Sequence, residues 1–226
     1  MLGNVSDLTN GFLNTTGNPG YQNFYFPNYE YSTLATDIRH RVVGTATWDL
    51  PVGHNKRFGG NLPGWANQIV GGWELTTIID VYSGFPISMS VTGAPAFAGT
   101  RPMYIGGNPQ TTGGYHDRLG GLAYGQTQGY LNPAAFVLPL SFQLGNVPRS
   151  WAAIRGPINF DDNASIIKQF PIHDQLGVEF RAEAFNVLNK VNFGLPNAQY
   201  NSSTFGQITS QYNLPRNVQL ALKLHF

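Results

Sequence analysis

The amino-acid sequence predicts an all-β protein built around an antiparallel meander of about five long strands. Three observations support this. The 27 glycines and 15 prolines among 226 residues interrupt most candidate helices within about a dozen residues. In several segments apolar residues recur at every second position, which is the period of a strand. Aromatic residues make up 13% of the chain and charged residues only 11%, against about a quarter charged in an average soluble domain, and the high aromatic content argues against disorder.

The clearest strand is the last one, near 214–226. Its apolar positions all fall on one face and are Val218, Leu220, Leu222, Leu224 and Phe226. The opposite face carries Gln219, Ala221, Lys223 and His225. Because successive side chains of a strand point to opposite faces, this segment has one wholly apolar side.

Two further strands, near 157–171 and 174–189, are predicted to form a hairpin around the short connection Pro171–Asp174. In the second strand, Leu176, Val178, Phe180, Ala182 and Ala184 alternate with Gly177, Glu179, Arg181 and Glu183. The first strand is less regular, because Asp162 and Lys168 fall on the same side as Phe160, Ala164, Ile166 and Phe170.

The first two strands are predicted near 35–51 and 70–91. One face of the first carries Val42, Gly44, Ala46, Trp48 and Leu50, and one face of the second carries Trp73, Leu75, Thr77, Ile79 and Val81. The alternation of the second strand continues beyond Val81, because apolar residues still occupy every second position at Phe85, Ile87, Met89 and Val91. This predicts one strand of about twenty residues. Such a strand would far exceed the usual five or six residues of a soluble sheet.

A soluble antiparallel sheet that packs one face on a core would show the same alternation. Strand length and charged polar faces favour a membrane instead, since a tilted barrel strand spans a bilayer with about 9–11 residues. Shorter connections alternate with long loops at 1–32, 92–156 and 190–213, which is the asymmetry of outer-membrane barrels. The aromatic residues near strand ends fit interfacial girdles and are Trp48, Trp73, Phe170 and Phe226.

Composition excludes several classes of partner and site. Thirteen basic and twelve acidic side chains give a net charge of +1, which offers no electrostatic basis for binding nucleic acid. The absence of cysteine excludes disulfides, thiolate zinc ligands and a thiol nucleophile. No apolar run approaches the length of a transmembrane helix, and Met1–Asn10 lacks the pattern of a signal peptide.

Nine segments together resemble the C-terminal barrel of a TonB-dependent receptor, closest to the Oar-like receptors with a carboxypeptidase-regulatory-like N-terminal domain. They are DIRHRVV at 37–43, WDLPVG at 48–53, GGWEL at 71–75, SGFPI at 83–87, LNPAAF at 131–136, RGP at 155–157, KQFPI at 168–172, FRAEAFNVLNKVNFG at 180–194 and LKLHF at 222–226. The resemblance runs from about residue 30 to the end, and the order and spacing of the segments make it specific.

The resemblance implies a bacterial outer-membrane location and a transport role. Such receptors have 22 strands around a plug, capture ligand with extracellular loops and take energy from TonB through their N-terminal part. About five strands cannot close a barrel, so we expect this chain to be a fragment that is not transport-competent alone. The partners implied are outer-membrane lipid, the barrel-assembly machinery, and the remaining strands and plug of a complete receptor. Two unpaired edges are expected, near Arg41–Leu50 and Val218–Phe226.

Candidate functional residues follow from strand parity and loop composition. Those predicted to face the barrel lumen are Arg41, Thr45, Glu74, Asp80, Glu179, Arg181 and Glu183. The first long loop carries predicted ligand-contacting aromatics at Tyr21, Tyr25, Tyr29 and Tyr31, although these could equally pack together or at the membrane interface. The segment Leu131–Phe136 is as compatible with a loop helix or fold-back as with ligand contact. Phe226 is similar to the terminal signal that the barrel-assembly machinery recognises.

No catalytic, metal or cofactor motif is present in the sequence, and we expect no enzymatic activity and no cofactor. The five histidines are scattered, without an HExxH motif, and neither a GxSxG elbow nor a phosphate-binding loop occurs. Glu179 and Glu183 share a strand face with Arg181 between them, which indicates charge pairing rather than acid–base catalysis.

Two other functional classes compete with the transporter. A soluble all-β binding module, with loop aromatics that contact a glycan or a protein, requires the apolar strand faces to meet a second sheet. A hydrolase requires converging carboxylates or a Ser/His pair in one pocket.

Overall fold

The all-β prediction is confirmed by a computed structural model, which describes residues 2–3, 22–23, 25–113, 118–119, 129–173 and 176–226. The strands of this part of the chain are β1 (Leu2–Gly3), β2 (Ser32–Thr33), β3 (Arg41–Asp49), β4 (Trp73–Tyr82), β5 (Pro86–Ile87), β6 (Met103–Tyr104), β7 (Phe136–Val137), β8 (Trp151–Arg155), β9 (Asn159–His173), β10 (Leu176–Phe185) and β11 (Asn217–His225). Its α-helix is α1 (Gly64–Val70), and short 3-10 helices span Pro27–Glu30 and Pro133–Ala135. Among these residues, no helix is both long and apolar enough to span a bilayer.

The predicted meander is the main sheet of the described residues. Its five strands lie in the order β11-β10-β9-β4-β3, and the pairs with described register are antiparallel. The strands contain 9, 10, 15, 10 and 9 residues in chain order, so each is long enough for a tilted transmembrane span of about 9–11 residues. β3 and β11 are the two outermost strands, which confirms the predicted positions of the sheet edges.

The predicted hairpin between residues 157 and 189 is also confirmed. β9 and β10 pair from Asn163↔Phe185 to His173↔Leu176, with a register irregularity between Leu176 and Gly177. β9 continues through Pro171 to His173, so it includes most of the segment predicted as the connection.

The prediction of one strand of about twenty residues near 70–91 is wrong, because β4 ends at Tyr82. The chain then forms β5, which pairs with β8 in a separate two-stranded sheet. Ile87 and Met89, which continue the strand parity in the sequence, are only 2% and 0% exposed and belong to an apolar core. A Cβ atom added at Gly84 would come within 2.0 Å of the Gly156 carbonyl oxygen, so this glycine permits a close backbone approach where the chain leaves the sheet.

The chain divides into two units. The sheet unit contains residues 41–82, 160–191 and 213–226, and the loop unit contains residues 1–40, 83–159 and 192–212. Arg41 begins β3, Tyr82 ends β4 and Asn159 begins β9. Because neighbouring strands are antiparallel, these three positions lie at the same end of the sheet, where the chain passes into segments of the loop unit. The loop unit is therefore assembled from the connections that the sequence analysis described as long loops.

The loop unit has a hydrophobic core of its own, which the sequence did not predict. Its buried side chains are Ile87, Met89, Leu119, Tyr130, Leu131, Ala135, Phe136, Val147, Ile154 and Ile208. Phe136 is the largest of the fully buried residues and contacts the rings of Tyr104, Trp151, Tyr200 and Phe205. Leu131, Ala135 and Phe136 are 0%, 1% and 1% exposed and pack in this core, so the segment 131–136 contains the predicted fold-back, whereas ligand contact through its exposed residues Pro133 and Ala134 stays a prediction.

Candidate functional site

One face of the sheet is polar in β10 and β11 and carries a row of ion pairs. The register pairs Glu179 with Lys223 and Glu183 with Gln219 on this face. Arg181 lies between the two glutamates and donates to Glu179 at 3.1 Å and to Glu183 at 3.4 Å. All three predicted lumen residues of β10 therefore belong to one charge-paired row along the strand.

The same alternation holds in β3 and β4. The Arg41 guanidinium donates from Nε and Nη2 to both carboxylate oxygens of Asp80, at 3.1 and 2.5 Å. Thr45 lies opposite Ile78, and Glu74 lies opposite Asp49. Asp49, Glu74 and the cationic Lys56 line one cleft.

An aromatic contact shows that both halves of the sheet present their polar residues on the same side. Trp73 of β4 and Phe180 of β10 meet edge to face, with ring centroids 5.9 Å apart. Both rings lie on the apolar faces of their strands, so the polar faces of β4 and β10 also lie on the same side of the sheet. The structure thus brings all seven predicted lumen residues onto one face, whereas their exposure to a lumen stays a prediction.

The opposite face is apolar and, in the part of the chain that the structure describes, exposed along β11. Leu220 and Leu222 are 71% and 74% exposed, although both lie on the wholly apolar side of the strand. Across the register, Leu222 faces Phe180 and Leu224 faces Val178. A soluble sandwich would bury these side chains beneath a second sheet, so the exposures argue against the soluble binding module.

Lys168 lies on this apolar face, as the alternation of residues in β9 predicted. Its contacts explain how a charged side chain is tolerated there. The register places it opposite Phe180, yet the residue is only 3% exposed. Its Nζ atom donates to the Gly71 carbonyl and lies 5.3 and 4.9 Å from the ring centroids of Trp73 and Phe170. A hydrogen bond and two aromatic faces thus stabilise the ammonium group.

The predicted girdle aromatics gather at one end of the sheet. Trp48 is near the end of β3, Trp73 begins β4, Phe170 is near the end of β9 and Phe226 follows β11. Because neighbouring strands are antiparallel, these four residues lie at the end of the sheet opposite to Arg41, Tyr82 and Asn159. Each lies on the apolar face of its strand, as do the residues of an interfacial aromatic girdle.

Comparison with known proteins agrees with these two faces. A family model described as an outer membrane beta barrel domain matches residues 4–219. The chain belongs to this outer-membrane β-barrel domain family. The match supports an outer-membrane location. No curated protein and no solved structure matches the chain.

The loop aromatics of this barrel-domain protein are partly accessible. Tyr25 and Tyr31 are 91% and 57% exposed. Tyr29 lies in the 3-10 helix Pro27–Glu30, and Tyr21 lies outside the described residues. Exposure of Tyr25 and Tyr31 is compatible with the predicted ligand contact, which stays a prediction.

A second aromatic pair in the loop unit was not predicted from the sequence. The rings of Phe97 and Phe142 stack with centroids 5.2 Å apart and an interplanar angle of 14°. The side chains are 79% and 78% exposed. Each phenylalanine is the third residue of a tight turn, closed by hydrogen bonds from Ala98 to Pro95 and from Gln143 to Leu140.

Both phenylalanines have strained backbones. Their φ angles are 56° and 60°, in the left-handed region where glycine or asparagine is favoured and a bulky residue costs about 1–3 kcal/mol. Stacking of two aromatic rings returns only about 0.5–1.5 kcal/mol. Two strained, exposed phenylalanines are therefore poorly explained by stability, and such strain is typical of functional sites.

We expect Phe142→Asn to leave the stability of the loop unit unchanged or to raise it by up to about 1 kcal/mol, because asparagine tolerates the left-handed region. The matched control is Phe136→Ala, which empties a buried site and should cost about 3–5 kcal/mol. Chemical unfolding can be followed by Trp151 fluorescence, taken as the difference from a Trp151→Phe chain. Equal losses in the two variants would make Phe142 a structural residue.

Two of the segments that carry the family resemblance meet in an ion pair in the loop unit. Arg155 donates from Nη2 to the Asp37 carboxylate at 2.5 Å and from Nη1 to the Asp37 and Gly84 carbonyls at 2.8 and 3.2 Å. This contact ties the residues preceding β3 to β8 and to the exit from β4. The hydrogen bond from Arg155 holds the pKa of Asp37 below its ordinary value.

Asp37 is therefore expected to make the stability of the loop unit depend on pH in acid. A carboxyl whose pKa is lower in the folded state stabilises the fold above its unfolded pKa, near 4, and this contribution is lost as the pH falls through the folded pKa. Asp37→Asn should remove this part of the acid dependence. Unfolding of both proteins between about pH 5 and pH 2 measures it, and parallel pH profiles would contradict the assignment.

Another resemblance segment, 186–190, has a structural role at the loop end of the sheet unit. Asn186 donates from Nδ2 to the carbonyls of Lys190 and Leu214, both at 3.0 Å. The Asn189 side chain accepts from the Arg216 amide at 3.0 Å. Both asparagines have positive φ angles, a conformation that this residue type tolerates. They join the end of β10 to the start of β11.

The two carboxylates that could have been a catalytic pair, Glu179 and Glu183, are both paired with Arg181. Glu179 and Glu183 each contact Arg181 rather than converge on a shared space, so their geometry is that of a charge-paired surface. Within the described ranges, no group of three or more His, Asp or Glu side chains could hold a metal ion.

Proposed function

We propose that this chain forms part of the wall of a TonB-dependent outer-membrane transporter and supplies loops that capture ligand. The observation that carries the proposal is the two-faced sheet, with Leu220 and Leu222 exposed on its apolar side and Arg181 paired with two glutamates on the other. Lipid would cover the first face, and a water-filled lumen would solvate the second.

The edges of the sheet support a larger barrel. Among the described residues, β3 and β11 each have a strand neighbour on one side only. A membrane-embedded sheet must pair all its backbone groups, and barrels have at least about eight strands. We propose that further strands complete a 22-stranded barrel around a plug, that this plug-bearing part contacts TonB, and that Phe226 is read by the barrel-assembly machinery.

The orientation follows the rule for outer-membrane barrels, in which the shorter connections face the periplasm and the longer loops face the exterior. The β9–β10 and β3–β4 connections are then periplasmic, and the segments of the loop unit are extracellular. Exposed aromatic rings at Tyr25, Tyr31, Phe97 and Phe142 would contact ligand there. We propose no catalytic role, because the paired geometry of Glu179, Arg181 and Glu183 suits a polar wall.

Cysteine accessibility tests the two faces directly, since the chain has no cysteine of its own. Ser165 and Ala164 are adjacent small residues of β9 that face Glu183 and Ala184, respectively, across the register. In membranes, a hydrophilic maleimide should label the Ser165→Cys chain, whereas the Ala164→Cys chain should be protected by lipid. Equal labelling of both would contradict the barrel wall.

The transporter assignment needs a separate test, because a barrel wall alone does not require TonB. The genomic DNA upstream of the first codon is expected to continue in frame into further strands and a plug. An in-frame stop codon a short distance upstream would contradict the TonB-dependent transporter while leaving the outer-membrane barrel domain intact.

A further inference from the structure

The β3–β4 connection has an unusual surface for a loop that links two strands of a sheet. Its apolar side chains are exposed, with Trp65 at 72%, Ile69 at 61% and Phe58 at 56%. Trp65 and Ile69 are four residues apart in α1 and therefore share a helix face. Ala66, in contrast, is buried at 9% exposure. The helix thus presents an aromatic and aliphatic face to its surroundings.

Two contacts join the end of α1 to the apolar side of the sheet. The Trp73 indole donates to the Ile69 carbonyl at 2.9 Å, and the Lys168 ammonium group donates to the Gly71 carbonyl. Trp73 and Lys168 both lie on the apolar faces of their strands. The C-terminal end of α1 therefore adjoins Trp73 of the girdle on the apolar face of the sheet.

The connection is also ordered and positively charged. The Asn67 side chain accepts from the His54 amide at 2.6 Å, which fixes the 51–58 turn to the helix. Between Leu50 and Trp73 the chain has Lys56 and Arg57 but no acidic residue. Lys56 shares the cleft of Asp49 and Glu74, whereas the exposed Arg57 lies over the Phe58 ring, with its guanidinium carbon 5.6 Å from the centroid. An arginine beside apolar rings suits a lipid phosphate.

We propose that α1, together with Arg57 and Phe58, is an interfacial anchor that lies in the headgroup region of the phospholipid leaflet at the periplasmic side. Trp65 and Ile69 enter the boundary between headgroups and acyl chains, and Arg57 contacts lipid phosphate. The anchor rests on the proposed membrane orientation and extends it, because a connection between strands would contact lipid in addition to the barrel wall.

Brominated phosphatidylcholines test the anchor, since bromine at a known acyl position quenches nearby tryptophan. The complete barrel that contains this chain is reconstituted in vesicles and floated, and the signals of Trp65 and Trp48 are taken as differences from Trp65→Phe and Trp48→Phe variants. Trp65 is expected to lose most fluorescence with shallow labels, and Trp48, on the apolar face of β3, is the reference. Trp48 quenching without Trp65 quenching overturns the anchor but keeps the barrel, whereas failure to float, or an unquenched Trp48, overturns the proposed function as well.

The phosphate contact has its own control within the chain. Phosphatidylglycerol in the vesicles should increase Trp65 quenching, and Arg57→Gln should abolish the increase. Lys56→Gln should retain it, because Lys56 lines the cleft of Asp49 and Glu74 rather than lying over the Phe58 ring. Equal effects of the two substitutions, or no effect of phosphatidylglycerol, would overturn the role of Arg57. Self-association through α1 would instead appear as Trp65 protected from water but unquenched, which also overturns the anchor.

Discussion

Replacing Arg101 with methionine is expected to lower the free energy of unfolding of the loop unit by about 3–5 kcal/mol. Arg101 and Glu30 form an ion pair at 2.8 Å, with side chains 3% and 0% exposed. Burial lowers the pKa of Arg101 below its ordinary value, because removal from water disfavours the charged guanidinium. Without it, the Glu30 carboxylate would be left as an uncompensated buried charge.

The same carboxylate oxygen also organises the chain that precedes the 3-10 helix. Glu30 Oε1 accepts from the amides of Gln22 and Asn23 at 3.2 and 3.3 Å. The double variant Glu30→Gln/Arg101→Met keeps an acceptor for these amides and removes both charges. It should therefore recover most of the stability lost in the single variant.

Hydrogen exchange provides the measurement for this pair. The amides of Ile105 and Asn132 donate to the Ala135 and Pro109 carbonyls within the loop unit, so their protection reports its opening. Arg101→Met should reduce their protection by about two to four orders of magnitude, at about 1.4 kcal/mol per factor of ten. If the double variant loses as much protection as the single one, the cause is packing around Arg101 and not the charge left on Glu30.

The sequence predicted the sheet well because alternation determines strand, face and neighbours together. Val218 to Leu224 alternate without exception, and the structure pairs each apolar member with an apolar member of β10. Even the irregular Lys168 lies on the predicted face, and the contacts of its ammonium group explain why it is tolerated there.

The same pattern failed where alternation continued beyond the sheet. Ile87 and Met89 keep the parity of β4 but are buried in the loop unit. Gly84 was the available signal, since a glycine within a strand pattern often marks a close backbone approach. The structure places it against Gly156.

The core of the loop unit could not be predicted, because its members come from short strands and turns without any period. Ile87, Phe136 and Ile208 are far apart in the sequence, and tertiary folding alone brings them together. The Phe97 and Phe142 pair was missed for a related reason. Their turns have phenylalanine where the left-handed conformation favours glycine or asparagine, so turn chemistry gave no indication of them.

Replacing Leu222 with arginine is expected to destabilise the membrane-inserted state by about 2–4 kcal/mol. Leu222 is near the middle of β11, is 74% exposed and lies opposite Phe180 on the apolar face. If lipid covers that face, the guanidinium must leave water or distort the bilayer. The measurement is a urea titration of the folding of the complete barrel that contains this sheet, carried out in phospholipid vesicles and followed by the electrophoretic shift of the folded form.

Lys223→Leu is the matched control, because it changes the neighbouring residue on the polar face. Lys223 lies opposite Glu179, which retains its contact with Arg181, so this substitution should cost less than about 1 kcal/mol. The cost of arginine should also depend on depth, with Leu222 affected more than Leu224 near the strand end. Equal tolerance at 222 and 223 would mean that water reaches both faces. In that case hydrocarbon could not be the solvent of the apolar side, and the barrel wall would have to be abandoned for this sheet.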